Sequence, residues 1–281
     1  MKEFRDKTAF ITGGASGLGF AMAEAFGNEG MNVMLADIEE EALAKAVEDL
    51  SARQIRAEGV IVDVANRNSV RNGAIEVLSK FGKVHVVCNN AGVGGRMAPV
   101  GELSDSDWRW VIDVNLFGVV YGMETFAPLI ESHGEGGHFV NTASLAGLYS
   151  TPTAEPYSAT KFAVVAMSEG WAAQLAPRNM GVSILCPGVV QTRIFESHRN
   201  RQQAYGKAQA VTAAEREMIK GLASVTIPAS AVGARVLEGV RDNELYILTH
   251  VEFREPVQRR FARIAAAFDR VGQSPALRGG K

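Results

Sequence analysis

Short apolar segments alternate with longer amphipathic segments along most of this chain. The short segments are β-branched or continuously apolar, a composition typical of strands that are covered on both faces. We predict seven strands on this basis: Thr8–Ile11, Asn32–Ala36, Val60–Val64, Val84–Asn89, His138–Thr142, Val182–Cys186 and Leu245–Leu248.

The segments between the predicted strands carry apolar residues at helical spacing. One stripe consists of Ala42, Leu43, Ala46, Val47 and Leu50, and a later one, opened by Pro256, consists of Val257, Phe261, Ile264, Ala265 and Phe268. Strand–helix–strand alternation favours parallel pairing of the strands. The pattern therefore predicts an α/β fold, a doubly wound parallel sheet of the Rossmann type with about seven strands and helices on both faces.

Two regions depart from this alternation. Residues 194–227 form a polar and helical insertion between the sixth and seventh predicted strands, and the tail from about Gly272 is rich in Gly, Pro, Arg and Ser. We predict a single domain over residues 1–271, which includes the insertion, and a flexible tail over residues 272–281.

Composition and charge argue against several classes of function. The chain has 281 residues, is 47% hydrophobic and carries a formal net charge of −2, so we expect no nucleic-acid partner. Two cysteines do not form a disulfide framework, and the five histidines show no metal-ligand spacing, so we expect no metal site. Because no apolar run approaches the ~20 residues of a membrane helix and the charged residues 1–7 lead straight into a strand, we expect a cytoplasmic protein without a membrane partner.

A glycine-rich turn follows the first predicted strand. Residues 12–19 read TGGASGLG and precede an apolar helix, which is the context that a dinucleotide-binding turn requires. Glycines let the backbone approach a pyrophosphate, and free N–H groups at the helix start attract its charge. We predict a bound dinucleotide here, with contacts from Gly13, Ser16, Gly17, Leu18 and Gly19. A glycine-rich turn without a ligand is the alternative.

Asp37 stands at the end of the second predicted strand. A carboxylate there accepts hydrogen bonds from the adenosine ribose and repels a 2′-phosphate. The next residue is Ile38, and the glycine-rich turn holds no Lys or Arg. The sequence therefore predicts NAD rather than NADP as the cofactor, although Asp37 would also serve as a helix cap.

Tyr157 and Lys161 are four residues apart on a predicted helix, so they share one face. A tyrosine has an ordinary pKa of about 10, and a neighbouring ammonium together with the positive charge of NAD⁺ is expected to lower it. Ser144 lies at the end of the fifth predicted strand, where its hydroxyl can bind a substrate oxygen. These residue types point to acid–base chemistry on an alcohol or ketone.

The motifs together resemble those of the short-chain dehydrogenase/reductases. The resemblance rests on TGGASGLG at residues 12–19, Asn-Asn-Ala-Gly at residues 89–92, Asn115, Ser144, Tyr157-x-x-x-Lys161 and Pro187-Gly188, and it covers roughly residues 5–250. It implies that Tyr157 is the general acid–base, that Lys161 assists it and holds the nicotinamide ribose, and that Ser144 orients the substrate. It further implies that Asn115 supports a water that relays protons.

The same resemblance implies further contacts with NAD. Asp63 and Val64 would contact adenine, while Asn90, Ala91 and Gly92 would line the adenosine side. The nicotinamide carboxamide would be anchored by Pro187, Gly188, Val190 and Thr192. The chain beyond Leu248 is longer than in minimal family members and looks like that of bacterial Cα-dehydrogenases, which oxidise benzylic alcohols of lignin-type aryl ethers.

The expected activity is hydride transfer between NAD(H) and a small-molecule secondary alcohol or ketone. A nucleotide-dependent epimerase or dehydratase is an alternative, but those enzymes usually have a Gly-x-x-Gly-x-x-Gly turn and a larger C-terminal domain. A non-catalytic NAD-sensing protein is another, although such proteins can lose the Tyr or Lys that this chain retains.

Two further expectations concern the substrate and the assembly. Residues 194–227 are expected to form a lid over a bulky, apolar or aromatic substrate, with Met218, Ile219 and Leu222 on its dry face. Apolar residues on two helices favour a homo-oligomer, a tetramer or a dimer. These residues are Val111, Leu116, Val119, Val120, Val164, Val165, Met167 and Trp171.

Overall fold

A seven-stranded parallel sheet forms the centre of the protein. The computed structural model describes residues 1–150, 152–207, 216–217, 221 and 226–277. The chain divides into two compact units, Met1–Thr249 and His250–Lys281, and the sheet belongs to the first. The helix that spans the second predicted apolar stripe belongs to the second unit, so the single domain expected over residues 1–271 stays a prediction. The last residues of the expected tail, 278–281, lie outside the described part of the chain.

The strands are ordered β3-β2-β1-β4-β5-β6-β7, and every neighbouring pair is parallel. This confirms the predicted Rossmann-type fold. The strand bounds are β1 Thr8–Thr12, β2 Asn32–Asp37, β3 Ala57–Ile61, β4 Val86–Asn89, β5 Gly137–Thr142, β6 Met180–Cys186 and β7 Tyr246–Leu248.

Helices cover both faces of the sheet. These helices of the first unit are α1 Gly17–Asn28, α2 Glu40–Ser51, α3 Arg67–Phe81, α4 Asp105–Ile112, α5 Gly118–His133, α6 Glu155–Leu175 and α7 Ala229–Asp242. The second unit contains α8 Arg254–Gln273. Within the described residues, no helix has both the length and the apolar character that a bilayer crossing requires.

Alternate residues of each central strand enter two hydrophobic layers. Phe10 of β1 packs on one side of the sheet with Phe126 of α5, while Ala9 and Ile11 pack on the other side with Phe26 of α1. The two-residue period of a strand produces this division. Because both faces are covered, the polar ends of the strands are left as the place where chemistry can occur.

The third strand begins earlier than its sequence suggests. It spans Ala57–Ile61 rather than the predicted Val60–Val64. Val62 and Val64 are buried after the strand has ended, because the chain turns inward over the sheet edge, where the Val62 N–H still donates to the Asp37 carbonyl at 2.9 Å. The apolar residues Val62 and Val64 therefore indicated a buried loop after β3 rather than a strand that pairs with β2.

The last residue of the predicted insertion is bound to the chain that precedes the insertion. Val190 and Ile227 form an isolated parallel bridge, in which the Gln191 N–H donates to the Ile227 carbonyl at 3.0 Å. Met218, Ile219 and Leu222, which were expected to form a dry face, lie outside the described residues.

Candidate active site

The strand order reverses its direction of growth between β1 and β4. In open parallel sheets, ligands bind at such a switch point, beyond the carboxyl ends of the strands. The glycine-rich turn follows β1, residues 90–92 follow β4, Ser144 follows β5, and Pro187 follows β6. Four separate motifs of the sequence therefore meet at one edge of the sheet.

The glycine-rich turn is shaped for close backbone approach. Gly13 and Gly17 have φ angles of +63° and +56°, a region that side chains rarely adopt. A Cβ on Gly19 would lie 2.0 Å from the Gly13 carbonyl oxygen, so the turn can close onto helix α1 only with glycine there. Ser16 precedes α1 and its side chain does not cap the helix, while the N–H groups of the first turn point beyond the helix end.

Asp37 joins the end of β2 to this turn. Its Oδ2 accepts a hydrogen bond from the Ala15 N–H at 2.9 Å, and its Oδ1 accepts from the Ile38 and Glu39 N–H groups at 2.7 and 3.1 Å. The carboxylate is 8% exposed. It is thus fixed beside the turn, as a residue that reads the adenosine ribose should be, and it also caps the following backbone.

Asn90 connects the ends of three strands. Its Nδ2 donates to the Thr12 carbonyl at 2.9 Å, and its Oδ1 accepts from the Thr142 hydroxyl at 3.3 Å. The Thr12 hydroxyl accepts from the N–H groups of Asn90 and Ala91 at 2.9 and 3.0 Å. This network holds the loop after β4 against the glycine-rich turn.

The remaining residues expected at NAD lie on either side of the switch point. Asp63 follows β3, where its Oδ1 accepts from the Ala65 N–H at 2.9 Å, and the neighbouring Val64 is 7% exposed. On the other side, Thr192 packs against the turn, because its Cγ2 would lie 3.1 Å from a Cβ on Gly17. Pro187, Gly188 and Val190 lead from β6 to Thr192.

Lys161 is the buried cation of the site. Its Nζ donates to the Thr142 carbonyl at 2.8 Å and lies 5.5 Å from the centre of the Tyr157 ring. Its side chain is nearly inaccessible, and this burial lowers its pKa to about 8. The helical spacing thus brings Tyr157 and Lys161 together as the sequence predicts.

The groups around Tyr157 act on its pKa in opposite directions. Burial raises its pKa above 10, and a hydrogen bond with the Ser144 hydroxyl opposes this rise only in part. The lowering expected from Lys161 together with the charge of NAD⁺ stays a prediction. Ser144 also accepts a hydrogen bond from the Ala146 N–H at 3.1 Å, which orients its hydroxyl.

Asn115 is fully buried in a π-helical turn, Asp113–Phe117, between α4 and α5. Its Nδ2 donates to the Val93 carbonyl at 2.9 Å and its Oδ1 accepts from the Val93 N–H at 2.8 Å. A Cβ on Gly92 would lie 3.3 Å from Asn115 Oδ1 and 3.7 Å from Lys161 Nζ. The π turn, a device frequent at functional sites, therefore places Asn115 near Lys161.

Two features of this edge lie outside the sequence motifs. Cys186 lies beneath the site, where burial raises the pKa of its thiol to about 12 and disfavours the reactive thiolate. Glu39 is ion-paired with Arg199, although they are 160 positions apart. The pairing brings Arg199 to the residue two positions after Asp37, although residue 38 and the glycine-rich turn carry no cation.

A second cluster of ligating groups lies at the amino ends of the strands. His85, His133 and Glu135 have ligand atoms within 4.8 Å of one another. Each histidine already uses both ring nitrogens: His85 with the Thr8 N–H and Glu135, and His133 with the Val84 carbonyl and the Glu135 N–H. The cluster therefore ties β1 and β4 to the loop before β5.

Comparisons of the sequence and of the structure with known proteins identify the same family. A family model described as short chain dehydrogenase matches residues 7–203. A Cα-dehydrogenase from Sphingobium sp. is 36% identical over 94% of this chain and 87% of its own length. The 3β-hydroxysteroid dehydrogenase 2 of Eggerthella lenta is 36% identical over 73% of this chain and 79% of its own. A short-chain dehydrogenase/reductase from Burkholderia phymatum, solved in complex with NAD, is 39% identical, with a TM-score of 0.91 and coverage of 95% and 97% of the two chains.

Proposed function

Because this chain belongs to the short-chain dehydrogenase/reductase family, we propose that it is an NAD-dependent oxidoreductase that interconverts a secondary alcohol and its ketone. The convergence of Tyr157, Ser144 and Lys161 at the carboxyl edge of the sheet carries this proposal. The four expected positions of the acid–base system are intact, which favours an enzyme over an NAD-sensing protein.

The residues present fit NAD. The positive φ angles of Gly13 and Gly17 and the open first turn of α1 form a cradle that side chains would fill. Asp37 is fixed at the position expected for the adenosine ribose, and Asp63 and Thr192 extend the same edge on either side. When bound, oxidised NAD supplies the hydride acceptor and a positive charge that favours a phenolate.

The side chains of this protein handle the proton. Tyr157 accepts it from the alcohol hydroxyl, while Ser144 donates a hydrogen bond to the same substrate oxygen. Lys161 supplies a positive charge in a buried setting, where it acts more strongly than in water. Asn115 fixes the loop after β4 through its two hydrogen bonds with Val93. Its place near Lys161 supports the role that the family resemblance implies, in which it holds a water that relays protons.

A direct experiment follows NADH absorbance with a panel of secondary alcohols and ketones, using NAD and NADP separately. We expect turnover with NAD on bulky alicyclic or aromatic alcohols and little with NADP. Tyr157→Phe should abolish turnover while NADH binding, measured by fluorescence titration, stays within about threefold, because the hydroxyl adds little to dinucleotide affinity. Turnover by this variant above a few per cent of wild type would remove Tyr157 from the acid–base role.

Similar proteins support a bulky substrate. The names of two of them refer to the Cα position and to a hydroxysteroid, and we propose that this chain also acts on a large, mainly apolar alcohol. We further propose that the segment 194–227 helps to cover it, since it begins two residues after Thr192, in the loop that follows β6. Equal kcat/KM values for small acids and bulky alcohols would contradict this preference.

We also propose a homo-oligomer, although part of its sequence argument does not hold. Val111, Val119, Val164 and Val165 are buried within one chain, where they pack in the core. Phe117, which is 40% exposed, stacks on Tyr121 at 5.8 Å on the outer side of the chain. Light scattering that gives a monomer mass at micromolar concentration would exclude the oligomer.

A further inference from the structure

Residues 193–206, here called the strap, contact the loops that follow β4, β2 and β3 at the carboxyl edge of the sheet. They leave β6 as two short 3₁₀ turns, Ile194–Asn200 and Gln203–Tyr205. The first contact is at the loop after β4, where the Gly94 N–H donates to the hydroxyl of the buried Ser197 at 3.0 Å. The strap thus begins on the nicotinamide side of the switch point and proceeds toward β2 and β3.

The middle of the strap is held by Glu39, which directly follows the end of β2. Arg199 donates from Nε and Nη2 to the two carboxylate oxygens of Glu39, at 3.1 and 2.5 Å. Asn200 adds a hydrogen bond to the same carboxylate at 2.9 Å. Hydrogen bonds from Arg199 lower the pKa of Glu39, so this carboxylate is charged at neutral pH. Glu39 is also joined to Asp37, since its N–H donates to Asp37 Oδ1.

The strap then reaches the end of β3. Gln202 Nε2 donates to Asp63 Oδ1 at 2.9 Å, while its Oε1 accepts from the Trp110 indole N–H at 3.0 Å. Gln202 therefore bridges helix α4 and the loop expected to contact adenine. Asp37 and Asp63, the two carboxylates expected at adenosine, are each linked to the strap, one through Glu39 and the other directly.

The far end of the strap is anchored much more firmly. Arg201 pairs with Asp107 at 2.7 Å, with side chains only 6% and 7% exposed, and stacks over Trp110 at 5.2 Å. Tyr205 donates to Asp113 at 2.8 Å. By contrast, Arg199 and Glu39 are each 24% exposed. Because buried pairs separate less readily than exposed ones, opening is expected at Arg199 with Arg201 as the fixed end.

We propose that the strap clamps the adenosine half of NAD(H), and that Arg199 and Gln202 are positioning residues that retain the cofactor. This inference rests on the proposed function. A dinucleotide held between Asp37 and Asp63 on one side and Ser144 and Thr192 on the other would lie under the strap, and Arg199 would then have to leave Glu39 before the cofactor departs. The clamp acts on cofactor exchange and not on the acid–base step.

The test measures the rate at which NADH leaves the intact protein, by stopped-flow fluorescence with excess NAD as the displacing ligand. Glu39→Gln keeps the shape of the side chain but removes its charge, and we expect release about tenfold faster, as a partly exposed charge-assisted contact allows. Arg199→Gln should give the same rate, and the double variant should be no faster than either single variant. Raising the salt concentration should speed release from wild type but not from Glu39→Gln, because only wild type retains the ion pair.

Glu196→Gln is the matched control, since Glu196 lies in the strap and, among the described residues, its ion pair is with Arg193 of the same segment, at 3.0 Å. Its release rate should equal that of wild type. Release from Glu39→Gln and Arg199→Gln within twofold of wild type, or an equal acceleration in Glu196→Gln, would overturn the clamp alone. Wild-type protein that binds no NADH would overturn the proposed function as well, so the two failures are distinguishable.

Discussion

Replacing Thr12 by Val removes one hydroxyl group from the junction between β1 and β4. This hydroxyl accepts from the N–H groups of Asn90 and Ala91 and donates to the Cys88 carbonyl at 3.2 Å. Valine has nearly the same shape and Thr12 is only 4% exposed, so the change consists chiefly of three lost hydrogen bonds. Two donors would then lack a partner in a place that water reaches poorly.

The size of the effect follows from those two donors. An unpaired buried donor costs about 1–3 kcal/mol, and because Asn90 and Ala91 are only partly buried, the lower half of that range applies to each. We expect the free energy of unfolding to fall by about 2–4 kcal/mol. NADH should also bind more weakly, because the loop after β4 would no longer be held against the glycine-rich turn.

The assay is urea unfolding of wild type, Thr12→Val and Thr12→Ser, followed by circular dichroism without cofactor. Thr12→Ser keeps the hydroxyl and loses one methyl group, so it should lose about 1 kcal/mol or less. A Thr12→Val variant within about 0.5 kcal/mol of wild type would refute the reasoning, since changes of that size are ordinary for substitutions without a specific role. So would a serine variant that is destabilised as much as the valine variant.

Three further predictions concern titratable groups. Burial lowers the pKa of His138 from 6.5 to about 3, so the unfolded chain binds the proton first and the free energy of unfolding falls as pH drops below 6.5. His138→Gln should make the free energy of unfolding, measured by urea titration between about pH 4 and 6, depend less steeply on pH, and an unchanged dependence would contradict this. Lys161→Met removes the cation beside Tyr157, which makes the loss of the Tyr157 proton harder. The pH profile of kcat/KM for alcohol oxidation should therefore shift to higher pH, and an unshifted profile would exclude this electrostatic role of Lys161. Burial raises the pKa of Cys88 and Cys186, so iodoacetamide should modify neither thiol in the folded protein. Mass spectrometry should show both thiols modified in urea, and rapid labelling of the native form would disprove their burial.

The hydrophobic pattern of the sequence predicted the strands of the sheet well, but it misplaced β3, which lies at one edge. Central strands such as β1 are buried on both faces, so their apolar sequence and their extended structure coincide. In β3, Ala57 and Glu58 pair with β2, although alanine and glutamate are both uncommon in strands. Val62 and Val64, which look like strand residues, are buried in the loop that follows β3. An edge strand needs only one partner and tolerates polar residues, which weakens the link between hydrophobicity and pairing.

The candidate site was accessible from sequence where a motif encodes its own geometry. Tyr157 and Lys161 share a helix face because of their spacing, and the glycine-rich turn specifies its own backbone. Asn115 was identified by resemblance to the family, but the sequence around it contains no pattern that predicts a π turn. The contact of Arg199 with Glu39 depends on how β6 and β2 lie in the sheet, so no local pattern predicts it.

The bridge between Val190 and Ile227 has a consequence for how enzymes of this kind diverge. The two ends of the segment between these residues are held together in the loop after β6, where the Ile227 N–H donates to the Val189 carbonyl at 3.3 Å. Closing a loop between fixed ends costs only about 0.6 kcal/mol more for each doubling of its length. The segment can therefore lengthen, shorten or be exchanged by recombination as a cassette, while the sheet and the groups that handle the proton are inherited unchanged.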